Sequence, residues 1–122
     1  MVFQIICRKT LMATSAIHTV SCLQVKATNL SAHPVWIVDM GVLMGEQPAS
    51  LIDPSLPWVQ FVQRDHVLPG EIGPHATLTL QVSFETLTRL RDVKGTPRPQ
   101  PLQGFIREQS GQLHLSEPYV EQ

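Results

Sequence analysis

Aromatic residues are scarce in this chain of 122 residues: two tryptophans, one tyrosine and four phenylalanines. Charge of one sign is missing as well, since nine lysines and arginines face ten acidic residues for a formal net charge of −1. A phosphate backbone has no electrostatic footprint to meet here, with Lys94, Arg98 and Arg107 scattered, so nucleic acid is not an expected partner. No run approaches the roughly eighteen apolar residues of a membrane-spanning helix. Cysteine is limited to Cys7 and Cys22, without a CxxC pair, which excludes a zinc knuckle. A disulfide between them needs an oxidising compartment and adjacent strands; two reduced, partly buried thiols in a cytoplasmic protein is the expectation.

Catalytic signatures are absent in the same way. The histidines (His18, His33, His66, His75 and His114) form no HExxH or HxH, so no metal is expected. There is no GxSxG elbow. Gly70 and Gly73 adjoin prolines and precede no lysine, which makes them turn glycines rather than a phosphate loop. No cofactor is expected.

What is present is strand pattern. Leu23, Val25 and Ala27 alternate with Gln24, Lys26 and Thr28, as in a half-buried strand. Asn29, Ser31 and Pro34 supply turn chemistry, and Val35 to Leu43 resumes as a strand. The cleanest pattern runs from His75 to Phe84, where apolar and polar residues alternate without a break. It places His75 and His114 on wet strand faces, where histidines of neighbouring strands could meet. Val2 to Cys7 suits an edge strand or arm, Thr10 to Thr19 is a strand or a helix, and Trp58 to Val62 reads as a short strand. Gly45 to Pro57, with three prolines, reads as a long surface loop, and Arg64 to Pro74 as a connector. Leu87 and Leu90 switch to helical spacing, predicting a short helix over 85–93 capped by Ser83. KGTPRPQP is a proline-rich connector at 94–101, and Leu102–Glu108 and Gln112–Ser116 flank a glycine turn as a hairpin.

Short strands without a βαβ rhythm predict an all-β protein: one antiparallel β-sandwich domain over 1–122 of about seven strands, with 1–20 an extra strand or arm. The segments Asn29 to Ile37 (NLSAHPVWI), Leu68 to Val82 (LPGEIGPHATLTLQV) and Phe105 to Pro118 (FIREQSGQLHLSEP) resemble the turn-strand, alternating-strand and closing-hairpin segments of small uncharacterised bacterial immunoglobulin-like sandwich proteins. The resemblance covers about half of the chain. It implies an immunoglobulin-like fold and a bacterial origin, and it brings no catalytic residues.

Candidate functional residues follow from the strand beginning at Val35. Val35 and Ile37 face one side, and Trp36, Val38 and Met40 the other. Both faces are apolar, so the second needs a cover: the amino-terminal segment, the 45–57 loop, a partner or a second copy of the chain. Trp36, Val38 and Met40, joined by Trp58, form the candidate interface of a non-enzymatic protein-interaction or assembly module, with a homodimer as one form. The alternative is a small ligand-binding protein or hydrolase with a loop-lined site using Asp53, Asp65 or His66; Asp39, Glu71 and Glu85 enter only as carboxylates. A third reading, a secreted or lipid-anchored envelope domain, rests on Arg8 and Lys9 followed by a mildly apolar run that ends at Cys22.

Overall fold

The computed structural model describes residues 3–13, 15–44, 46–94 and 101–120. Among them the strands are β1 (Phe3–Ala13), β2 (Thr19–Asn29), β3 (Val35–Met44), β4 (Gln47–Ser50), β5 (Gln63–Arg64), β6 (Gly70–Ile72), β7 (Thr77–Ser83), β8 (Pro101–Glu108), β9 (Leu113–Leu115) and β10 (Tyr119–Val120), with one helix, α1 (Phe84–Lys94), between β7 and β8. The first sheet has the order β1-β2-β7-β5. The second has the order β10-β8-β3-β4, with β6 also on β3 and β9 also on β8. All pairings are antiparallel. The count exceeds seven because five of the strands are only two to four residues long.

The two sheets pack face to face as a β-sandwich. Leu23, Val25, Leu78 and Leu80 of the first sheet share one buried cluster with Ile37, Met40, Val42 and Ile106 of the second. Burying each such side chain contributes about 1.5–3 kcal/mol, which makes this cluster the main driving force for the fold. The alternation read between His75 and Phe84 becomes β7, with Leu78, Leu80 and Val82 buried. At the β2–β3 turn, the fully buried Asn29 donates from Nδ2 to the carbonyls of His33, Ile72 and Gly73. Its Oδ1 accepts from the Ser31 amide and hydroxyl. One amide side chain thus satisfies backbone groups of two separate turns.

The undecided Thr10–Thr19 segment is strand at both ends: β1 runs to Ala13 and β2 begins at Thr19. Trp58 to Val62 is not a strand. Pro57–Phe61 forms a 3-10 turn, with the amides of Val59 and Val62 donating to the carbonyls three residues earlier. Pro57 presets the backbone for a helical start, and its missing N–H costs nothing there. Nor is 45–57 simply a surface loop, because it contains β4 and buries Ala49, Leu51 and Ile52. His75 lies in a turn at φ 61°, not on the strand. Most of the proline-rich 94–101 expectation, residues 95–100, lies outside the described residues.

The face assigned to β3 also needs correction. Its register to β8 shifts between Ile37 and Asp39, so Val38 is an extra residue without a β8 partner. Such a bulge reverses which residues face inward. Met40 therefore joins Ile37, Val42 and Met44 in the core and is fully buried. At Gly41 the backbone of β4 comes against β3. A Cβ on Gly41 would lie 2.1 Å from the Ala49 carbonyl oxygen, so only glycine admits that approach.

Candidate functional site

Two exposed apolar side chains, Phe61 of the 3-10 turn and Val93 of α1, meet in one groove. The helix starts where β7 ends, because Ser83 Oγ accepts the Thr86 amide at 3.1 Å and donates to Thr86 Oγ1 at 2.9 Å, the predicted N-cap. Leu87 and Leu90 bury one stripe of α1. Glu85 and Arg89 pair at 2.7 Å on the wet side, an exposed i,i+4 contact of small energy. The 3-10 turn packs alongside. Trp58 is half-buried against the core, and its Nε1 donates to the Ser50 carbonyl at 2.8 Å. That bond holds the indole still while its ring forms one wall of a groove.

Pro57, Trp58, Phe61, Leu90 and Val93 line this groove, about 170 Å³ in volume. Phe61 is 53% exposed and Val93 73% exposed. Phe61 is also a wall of a wider adjoining depression of about 550 Å³, reaching Met12 and Val20 of the β1–β2 hairpin and Phe84. Leu11 and Ile17, at the far end of that hairpin, are 65% and 85% exposed. Water-exposed aromatic and aliphatic groups lining two adjoining grooves suit contact with another apolar surface.

The sequence-predicted interface is divided. Trp36 is 44% exposed and stands opposite Glu71 of β6. Val38 lines a different groove, with Asp39, Ser50, Ile52 and Asp53. Met40 is in the core, and only Trp58 reaches the groove beside α1. Phe61 and Val93 were missed; the one sequence signal for Phe61 was Pro57, which marks a turn where the aromatic can face outward.

The polar candidates occupy separate places. Asp65 Oδ1 lies 2.8 Å from His66 Nδ1 and accepts the Thr79 amide at 2.8 Å, pinning the chain after β5 onto β7. Burial raises the Asp65 pKa, but the His66 and Thr79 contacts together outweigh it and hold the carboxyl below its ordinary range. Asp53 accepts the Ser55 amide and hydroxyl, which lower its pKa in an exposed turn. Asp39 accepts the Ser50 hydroxyl at 2.7 Å. His114 is not on a wet face: its Nε2 meets Glu108 Oε2 at 2.5 Å, and its ring packs on Phe3 with centroids 5.2 Å apart. It does not meet His75, whose amide donates to the Asn29 carbonyl. Among the described residues no three histidine, cysteine or acidic side chains gather as metal ligands.

Both cysteines are free thiols. Cys7 sits opposite Val25 on the inward face, whereas Cys22 sits between Thr10 and Ser83 on the other. Burial pushes the Cys7 thiol up to about 11 despite the lowering contacts of the Gly104 amide and the Ser116 hydroxyl, and burial raises Cys22 too. Cys22 is fully buried in mid-strand, so a lipid on it would require β2 to open. No helix among the described residues is long and apolar enough to cross a membrane. Compared with protein-family models, curated proteins and solved structures, the chain matches none of them.

Proposed function

We propose that this chain is a non-enzymatic protein-interaction or assembly module, a single immunoglobulin-like sandwich whose contact surface is the groove beside α1. The observation that supports this most is the outward exposure of Phe61 and Val93 over a floor of Trp58 and Leu90. Apolar groups of that size on a rigid helix and a proline-started turn lose little entropy on docking. The tryptophan is fixed in advance by its bond to Ser50. Trp36 is a smaller, separate contact in the same reading.

Phe61→Asp tests it. The aspartate puts a charge at the groove rim without touching the core cluster. Light scattering across a concentration series, with cross-linking to partners from the native cell, should show an assembly that this variant loses while its circular dichroism is unchanged. A wild-type chain that is monomeric at every concentration, with cross-links identical to those of Phe61→Asp, overturns the proposal.

A further inference from the structure

We infer that the open edge of β1 is a strand-addition site for an extended, acid-bearing segment of a partner protein. It rests on the reading of the chain as an interaction module but uses a different surface from the groove. β1 pairs with β2 from Phe3↔Asn29 to Ala13↔Thr19, eleven positions without a register shift. It is the end strand of its sheet, and no strand among the described residues lies on its other side. The other sheet edges are partly closed. β5 sits against β7, and β4, β6, β9 and β10, of two to four residues each, flank β3 and β8. Eleven residues of strand extend about 36 Å, and natural sheets usually blunt such an edge with proline, a bulge or an inward charge. β1 has no proline and no bulge, and Phe3, Ile5 and Cys7 face inward; Lys9, next on that face and opposite Leu23, is its one inward charge, which leaves the Phe3–Arg8 half of the edge unblunted. Its unpaired backbone groups form a template of the kind that extended peptides use.

Charge selects the occupant. None of the nine acidic residues among the described residues lies in the four strands of the first sheet, whereas those strands carry Arg8, Lys9, Lys26 and Arg64. Ile6 stands opposite Lys26, and Arg8 opposite Gln24, so alternation puts all four on the outer face. Arg8 Nε donates to Gln24 Oε1 at 2.7 Å, which holds the guanidinium on the outer face, toward β2. Ile6 is 43% exposed. The edge therefore offers a cation and an apolar side chain two residues apart on one face. Its complement is an added strand with an acidic residue against Arg8 and an aliphatic one against Ile6. A second copy of β1 fits worse: full-length antiparallel pairing of Phe3–Ala13 with itself sets Arg8 against Arg8, and like charges directly opposed destabilise a strand pair.

The test is an amide-resolved NMR titration of the full chain with a short synthetic peptide of alternating threonine and valine carrying glutamates on one face. Two controls replace the glutamates with lysine or N-methylate every second amide. Shifts confined to Gln4–Leu11 and their β2 partners are expected, with binding about tenfold weaker for the lysine peptide, and binding of the glutamate peptide weakened by salt until the difference narrows. N-methylation should abolish binding. Arg8→Glu with Lys26→Glu should reverse the preference between the two charged peptides, and Phe61→Asp should leave the titration unchanged, so that failure at the edge and failure at the groove are told apart. The peptide controls use the wild-type chain and hold even if the charge-reversed variant does not fold. No response of β1 to the glutamate peptide, equal binding of the N-methylated peptide, or dimerisation of the chain through β1 would each overturn the proposal.

Discussion

Gly104 marks the place where the two sheets come closest to steric overlap, and adding one methyl there has a calculable consequence. A Cβ at this position would stand 2.5 Å from Val25 Cγ1 and 3.5 Å from Ile5 Cγ2. Carbon atoms are comfortable at about 3.5–4.0 Å, so the methyl overlaps the valine by about 1 Å. Val25 is fully buried and β-branched, with little rotamer freedom to retreat. β8 cannot easily back away either. The Gly104 amide donates to Ser116 Oγ at 2.8 Å, and the Gly104 carbonyl accepts the Ser116 amide at 2.9 Å. Gly104→Ala should therefore cost about 2 kcal/mol, in the usual range for overpacking a close-packed core. Val25→Ala removes two methyl groups and leaves a void, costing about 2 kcal/mol on its own. Together the new methyl occupies part of that void, so the double variant should lose about 2 kcal/mol rather than the sum of about 4, a coupling well outside the scatter of independent sites. Urea melts followed by tryptophan fluorescence measure all four corners of the cycle. The single variants should shift the midpoint at constant slope, and Gly104→Ala should lower Tm by about 8 °C. Additive losses, or a Gly104→Ala variant as stable as the wild type, would refute the close approach of β8 to β2.

Two further outcomes follow from buried polar groups. Asn29→Ala removes the donor to three carbonyls and leaves buried backbone groups without a partner, so it should cost about 2–4 kcal/mol in the same urea melts; a loss below about 0.5 kcal/mol would mean that the turns do not depend on that side chain. For Cys7, the folded pKa of about 11 lies above the ordinary 9.0, so between these values the folded state binds more protons than the unfolded one and stability falls as pH rises through that window. Cys7→Ala should flatten the alkaline limb between pH 9 and 11, and a limb unchanged in this variant would remove the assignment.

How much of the fold was legible depends on how local each cause is. β7 was readable because five apolar and five polar residues alternate without interruption. The start of α1 was readable because a serine three residues ahead of Thr86 caps it by itself. The Gly111 turn was readable because φ of +94° suits glycine. By contrast, Trp58 to Val62 satisfies either reading: Trp58 and Val62 pack inward whether the backbone alternates or turns, and Pro57 tips it to the turn. The reversal of Met40 was hidden for a different reason. Every residue from Val35 to Val38 is apolar, so the pattern has no polar position to betray a slipped register. The bulge at Val38 becomes visible only through the pairing with β8.

The candidate surfaces were less legible than the fold because each is assembled from distant segments. Phe61, Val93, Met12 and Val20 come from four elements, and nothing in their local spacing relates them. Tryptophan drew attention to Trp36, yet the half-exposed tryptophan stands by itself beside Glu71, while the smaller Phe61 borders two grooves. The charge pattern behaves likewise. A net charge of −1 looks featureless along the chain, but assigning strands to sheets sorts it: among the described residues, four cations and no acids in the first sheet, and the acids in the second sheet, the loops and α1. A cationic sheet that ends in a long, unbulged edge differs physically from a neutral one. Arg8 on the outer face opposes pairing with an identical strand and favours an acidic one, while Lys9 on the inward face blunts the far half of the edge, so charge both deters self-aggregation and selects a partner.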